Sequence, residues 1–147
     1  MKKLFIPPVF VLISLVLIVM FYFMIPEYNW IQFPLNFSGL LITFIGFVIM
    51  GKARDLFKKH KTTLTYNKSS YMITEGIFAK TRNPMYIGMF LLLLGIGICF
   101  MNLFSILTPF GFILLIRLFF IPTEEKMMYD TFGHDYLEYK NKVRRWI

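Results

Sequence analysis

Cysteine, histidine and acidic side chains are all scarce in this chain. A single cysteine, Cys99, excludes any internal disulfide. The two histidines, His60 and His134, have no cysteine or histidine at ligand spacing, so no metal site is expected. No Ser-His-Asp or Cys-His set is laid out for nucleophilic chemistry, and there is no internal repeat or low-complexity tract. Charged residues make up only 16% of the chain, below the roughly 25% usual in soluble domains. Hydrophobic residues fill the gap at 57%, against roughly 45–50% in an ordinary soluble domain. A chain of 147 residues reads as one domain, 1–147, and a domain of that size has too little interior to hide so much apolar surface. The surplus must face lipid.

The apolar residues fall into four runs. Leu4–Ile25 is long enough to cross a hydrocarbon layer of about 30 Å. Lys2-Lys3 before it resembles a signal-peptide start, but the run is long and lacks an Ala-x-Ala-like end, so it reads as a retained first span. A short turn with proline at both ends, 26–34, leads to a second span over 35–50. The longest polar segment, 51–82, opens with KARDLFKKHK, a helix end running out of the membrane, and continues without helical period. Spans three and four, 85–100 and 103–121, form a hairpin around Met101-Asn102. A charged helix over 123–146 follows. Its Met127, Met128, Phe132, Tyr136, Tyr139 and Val143 make an amphipathic stripe suited to lie against the membrane surface or inward against the 51–82 loop. The fold class is therefore an all-α integral membrane protein with about four transmembrane helices, a cytoplasmic loop and a C-terminal amphipathic helix.

The net charge of +8 is unevenly spread. Residues 51–82 carry eight Lys and Arg against Asp55 and Glu75, and the tail after Pro122 carries five basic and five acidic residues. With four spans, the N-terminus, the 51–82 loop and the tail share one side. That side holds every Lys and Arg except Arg117, within the fourth run. Positive-inside sorting explains this better than a nucleic-acid footprint, and it makes both termini cytoplasmic in a multi-pass protein, of the inner membrane if the cell is bacterial.

Three segments carry chemically useful side chains. Arg82, Asn83 and Tyr86 lie where the loop enters the third span. Pro84 pre-sets the helix start there, and Asn83 can cap it. Two readings stand side by side: a capped helix with an interfacial cation, or a site where free N–H groups and Arg82 hold an anionic group. Glu124-Glu125, directly after the fourth span, suits a helix dipole, or a ligand's hydroxyls or ammonium. Gly88, Gly95 and Gly97 form a small-residue face for close helix packing, not a dinucleotide fingerprint. Arg117 either snorkels to the interface or serves a function within the membrane.

Arg82-Asn83-Pro84-Met85-Tyr86-x-Gly88, with Gly76 upstream, resembles the Arg-(Asn/His)-Pro-x-Tyr-x-Gly signature of the isoprenylcysteine carboxyl methyltransferase and phospholipid methyltransferase group. Glu124-Glu125-x6-Phe132-Gly133-x2-Tyr136-x2-Tyr139 resembles the same group's second signature, and the two are separated by a helical hairpin as in the family. The likeness covers roughly residues 62–146. It implies an S-adenosylmethionine-dependent methyltransferase with a non-Rossmann cofactor site. Carried over by position, the cofactor contacts fall at Ser70, Tyr71, Met72, Ile73, Phe78, Asn83, Pro84, Met85, Tyr86 and Glu124. Arg82 and Glu125 are the candidates for acceptor orientation or proton removal. Phe78, Asn83 and Phe120 depart from the eukaryotic prenylcysteine enzymes, and Phe120 stands where those enzymes place a carboxylate-binding arginine.

Methyl transfer from a sulfonium asks the protein for alignment and exclusion of water rather than for a strong base or a metal. The sequence thus reads as a membrane methyltransferase. Its partners are the bilayer and a lipophilic or small acceptor: a phospholipid amine, an isoprenoid carboxylate or a thiol. The alternative is a non-catalytic four-helix scaffold or subunit, which would not bind S-adenosylmethionine. A transporter ranks below both, because repeated halves and midplane charges are missing. The topology has a direct test: a membrane-impermeant thiol reagent applied to intact cells should label a cysteine placed at Gln32 and spare one placed at Lys59. Labelling at Lys59 would reverse the orientation.

Overall fold

The computed structural model describes residues 7–29, 34–62 and 71–146. Among these residues the regular structure is helical. Helix α1 covers Pro7–Met24, with its two prolines in the first turn, where a missing N–H costs nothing. Helix α2 covers Ser38–Lys59 and follows a single 3₁₀ turn, Leu35–Phe37. It thus continues nine residues past the expected end of the second span, carrying the basic loop's first part as helix. Helix α3 covers Pro84–Cys99, with Pro84 at its first position. Helix α4 covers Leu103–Leu115.

The fourth span does not stop where the sequence pattern placed its end. From α4 the chain passes through a π-helical stretch, Ile116–Phe120, directly into α5, Ile121–Phe132. Pro122 explains the π turn. It has no N–H to donate and its ring crowds the preceding turn, so the helix widens just upstream instead of breaking. Thr123 Oγ1 donates to the Phe119 carbonyl at 3.1 Å, which supplies a donor at this join. The unbroken helix Leu103–Phe132 has 30 residues, about 45 Å of length, which exceeds the apolar layer. Its charged part from Glu124 onward therefore stands outside the membrane. The expected single C-terminal helix over 123–146 is also divided. Gly133, at φ 54°, turns the chain sharply into α6, His134–Lys142, and residues 143–146 leave the helix altogether. An L side chain would strain that conformation.

Three helical stretches are long and apolar enough to cross a membrane: Pro7–Met24, Leu35–Lys59 and Leu103–Phe132. Helix α3 is shorter, at 16 residues, yet it is the most buried. It runs antiparallel along α2, Gly88 against Gly46 and Gly95 against Gly39, so it traverses the same layer. A Cβ added at Gly46 would stand 2.7 Å from the Gly88 carbonyl oxygen, and one at Gly39 or Gly95 would overlap the opposite backbone. On its other side Gly97 meets α4, where a Cβ would lie 2.6 Å from the Ser105 carbonyl oxygen. The small-residue face is thus a pair of helix contacts. Around α3 lies a core of Ile18, Tyr86, Met89, Leu92, Leu93, Phe112, Ile116 and Ile121. The outward faces of α1 and α2 expose Leu12, Val16, Phe23, Leu40, Leu41, Phe44 and Phe47, as lipid-facing surfaces should. Arg117 is exposed on the π stretch beside exposed Leu118 and Phe119, which fits the snorkelling reading.

At the end away from the basic loop, one fully buried side chain ties the bundle. Asn102 Nδ2 donates to the Ile25 carbonyl and to Asn29 Oδ1, both at 2.8 Å, while its Oδ1 accepts from the backbone of Phe104 and Ser105 at 3.0 and 3.3 Å. Ser105 Oγ donates to the Ile18 carbonyl at 2.7 Å. In lipid every such polar group needs an internal partner, and the start of α4 finds its partners on α1 and on the turn that follows it.

The α2–α3 contact makes a prediction. Gly95→Leu should cost at least the about 1–3 kcal/mol of an overpacked core, because the atoms it meets are backbone. Gly111→Ala, with nothing within 4 Å of the added carbon, should leave the melting temperature unchanged or raised. Thermal unfolding in one detergent compares them, and equal melting would remove the contact from the account of stability.

Candidate functional site

The polar end of the bundle is built from pieces far apart in sequence. Helix α2 ends at Lys59, the loop returns at Tyr71, and a 3₁₀ turn, Gly76–Ala79, seats Phe78 against Ala53, Ile73 and Phe57. Phe78 and Phe57 meet edge to face at 5.4 Å. The chain then reaches Thr81–Asn83 and enters α3. Across from this start lie α5 and α6, bent at Gly133, with Met127, Tyr136 and Tyr139 buried and both tyrosine hydroxyls reaching the loop. Tyr139 donates its hydroxyl hydrogen to the Phe78 carbonyl at 2.7 Å, and burial pushes that hydroxyl up to about 12.

A cleft open on one side lies between these pieces. Of the residues singled out in the sequence, Tyr71, Ile73, Phe78, Arg82, Asn83, Pro84, Met85, Tyr86, Glu124 and Glu125 all line it. Met72 does not; its neighbours on either side take the cleft wall. Ser70 lies outside the described residues. Phe57, Met128, Tyr136 and Tyr139 complete the lining and were not singled out as site residues. The stripe at three- and four-residue steps is the signal that marked the last three as inward-facing, but it does not separate a core from a cleft.

The two carboxylates of the acidic pair have different surroundings. Glu124 Oε1 accepts a hydrogen bond from the Tyr86 hydroxyl at 2.5 Å. Burial pushes the Glu124 carboxyl up to about 7, an effect the tyrosine hydrogen bond only partly opposes. Glu125 is also partly buried, which raises its carboxyl, but hydrogen bonds from Arg145 and Lys140 and the charge of Arg82 outweigh this and hold it below the usual carboxylate range. Arg145 grips it with two bonds, Nε at 3.0 Å and Nη2 at 3.1 Å. Lys140 Nζ and Arg82 Nη2 stand at 3.2 Å from its oxygens. Arg82 Nη1 is 3.4 Å from the Tyr136 hydroxyl, and Arg82 Nε is buried without a partner among the described residues. Such an orphaned donor on a cleft wall is available to an anionic group.

Asn83 does not cap α3 as its type and place suggested. Its side chain makes no capping bond; Nδ2 instead donates to the Arg145 carbonyl at 3.0 Å. The same carbonyl accepts from Thr81 Oγ1 at 3.1 Å, and the Arg82 N–H donates to the Arg144 carbonyl at 3.0 Å. The tail after α6 thus clasps the turn before α3. Arg144 and Arg145 gave no such sign in the sequence, where they read as tail charge. No group of three or more potential metal-ligating side chains occurs among the described residues.

The phospholipid methyltransferase family model matches residues 35–135, more than half of the chain. The chain belongs to that family. It is 32% identical to the protein-S-isoprenylcysteine O-methyltransferase of Schizosaccharomyces pombe, over 74% of this chain and 53% of that protein. It is 33% identical to the enzyme of the same name from Saccharomyces cerevisiae, over 49% of this chain and 30% of that one. An uncharacterised Haemophilus influenzae protein is 40% identical over its whole length and 43% of this chain. The chain spans about half or less of the two yeast proteins.

The electrostatics of Glu124 make the second prediction. Its folded-state carboxyl holds a proton up to about pH 7, whereas the unfolded chain releases it near 4.5, so stability falls as pH rises through that window and stays low above it. Glu124→Gln keeps an oxygen for Tyr86 and cannot ionise. It should stabilise the ligand-free protein by about 1–3 kcal/mol at pH 8 and by less at pH 5. Melting curves at the two pH values check this; an equal gain at both would show that ionisation of Glu124 is not costly.

Proposed function

We propose that this protein is an S-adenosylmethionine-dependent methyltransferase of the membrane boundary, acting on a lipophilic or small acceptor. One observation carries the reading: in a chain of the phospholipid methyltransferase family, a single cleft gathers the 82–86 turn and Glu124 from opposite ends of the α3–α4 hairpin. The names of the two yeast relatives agree with it. The positive-inside pattern supports a cytoplasmic mouth, where a polar donor enters from water while an apolar acceptor enters from lipid.

The lining suits such a donor. Tyr71 and Phe78 offer aromatic surface for an adenine ring, and Glu124 offers a carboxylate for an ammonium or ribose hydroxyls. The N-terminus of α3, with its unsatisfied N–H groups, suits the donor's carboxylate. When bound, S-adenosylmethionine supplies the methyl group as an activated sulfonium. Tyr71, Ile73, Phe78, Asn83, Pro84, Met85, Tyr86 and Glu124 are assigned to holding the donor. Tyr86 steadies Glu124 through its hydrogen bond. Arg82 is assigned to orienting the acceptor, and the apolar side chains Ile73, Met85 and Met128 keep water from the reacting groups. A carboxylate gripped by three cations is a weak base, so Glu125 is assigned to positioning Arg82 and the tail instead of taking a proton.

Calorimetry with S-adenosylhomocysteine on the purified protein in detergent tests the assignment. Glu124→Gln should bind roughly ten- to a hundredfold more weakly, since a hydrogen bond to a charged group is worth about 1.5–3 kcal/mol. Asn83→Ala should also bind more weakly, and Lys52→Gln, on the exposed face of α2, should bind as the parent does. Tight binding by Glu124→Gln would remove Glu124 from the donor site and leave it as the hydrogen-bond partner of Tyr86 only. The gain in melting temperature expected for that variant separates lost binding from lost folding.

A further inference from the structure

Outside the cleft, on the other side of Glu125, the elbow between α5 and α6 carries a second, shallow depression. Its wall holds three cations, Lys126, Lys140 and Arg145, against the one carboxylate of Glu125. Tyr129 and Tyr136 place phenol rings among them, and Pro122 and Leu137 supply apolar floor. Lys140 and Arg145 both reach Glu125, at 3.2 and 3.0 Å, and Arg82 already pairs with that same carboxylate from the cleft side at 3.2 Å. The depression therefore keeps positive charge that Glu125 does not neutralise.

Its position selects the ligand. Pro122 is the first residue after the apolar run ends, so the depression sits where a spanning helix leaves the hydrocarbon layer. Tyr129 and Leu137 are 49% and 38% exposed, large apolar groups beside exposed lysines. A tyrosine and a leucine facing outward next to cations, just beyond the end of the apolar run, match the headgroup layer. We infer that the α5–α6 elbow binds the phosphate of an anionic phospholipid, with Lys126, Lys140 and Arg145 around the phosphate, Tyr129 and Leu137 against the headgroup, and Pro122 on the side of the glycerol and upper acyl chain. This site is separate from the donor cleft and does not rest on the proposed methyl transfer. It also has a consequence for the cleft: a phosphate that draws Lys140 and Arg145 toward itself leaves Glu125 more fully to Arg82.

Thermal unfolding in a zwitterionic detergent, with added phosphatidylglycerol or phosphatidylcholine, tests the inference without any methyl donor. The parent should be stabilised by phosphatidylglycerol at concentrations where phosphatidylcholine has little effect. Each cation near an anionic headgroup contributes about fivefold in affinity, so Lys126→Gln should shift the half-saturating lipid concentration by about fivefold and Lys126→Gln with Lys140→Gln by more. Lys126 has an exposed side chain, so the single variant should fold as the parent does even where loss of the Lys140–Glu125 pair weakens the double one. Equal response to the two lipids, or an unchanged titration for Lys126→Gln, overturns the site. The same shift from millimolar inorganic phosphate alone overturns the lipid and makes the elbow a free-phosphate site.

Discussion

Helices α2 and α3 touch backbone to backbone, and the position of everything at the polar end follows from that contact. Gly39, Gly46, Gly88 and Gly95 remove the side chains that would hold the two helices apart. In lipid, where apolar side chains gain nothing by leaving their surroundings, close van der Waals packing is what pairs helices. The contact fixes the start of α3 at a set distance from the end of α2. The loop that joins them is thereby held over the bundle, with Phe78 seated on Ala53 and Phe57. A short helix of 16 residues can sit at the centre because its neighbours supply the length it lacks.

A second constraint acts at the same end. Glu125 is surrounded by Arg82, Lys140 and Arg145, which belong to the loop, to α6 and to the tail. One carboxylate thus gathers three segments, and the tail's backbone carbonyls complete the closure by accepting from Thr81, Arg82 and Asn83. Such a knot is costly to desolvate and is strongly held once formed. It leaves Glu124, one residue away, as the buried carboxyl with an environment that suppresses its charge. Two adjacent acids are given opposite character by their neighbours alone, one locked as an anion and one poised near neutrality.

The residue pattern carried the apolar runs, the basic side of the bundle and the turn at Met101-Asn102, because lipid exposure and backbone satisfaction act on composition directly. It also carried Arg82 to Tyr86 and Glu124-Glu125, through a resemblance that depends on order and spacing. Other features needed the fold. Asn83 looks like a cap by type and place, yet its side chain reaches Arg145, a partner 62 residues away that no local rule can name. The π turn before Pro122 joins what reads as two helices into one, since the widened turn absorbs the proline's clash. Gly133 splits what reads as a single amphipathic helix, because its positive φ is invisible until the backbone is seen.

Sequence by itself therefore determined that this chain lives in a membrane, how its apolar segments are spaced, and which short segments carry polar chemistry. Those properties come from one-dimensional quantities: run length, charge placement and motif spacing. Tertiary structure alone decided that Glu125 is bound by three cations while Glu124 is buried against Tyr86, and that the tail clasps the turn before α3. Each of these depends on distances between residues far apart in the chain. Such distances are set by how closely α2 can approach α3 and by the bend at Gly133.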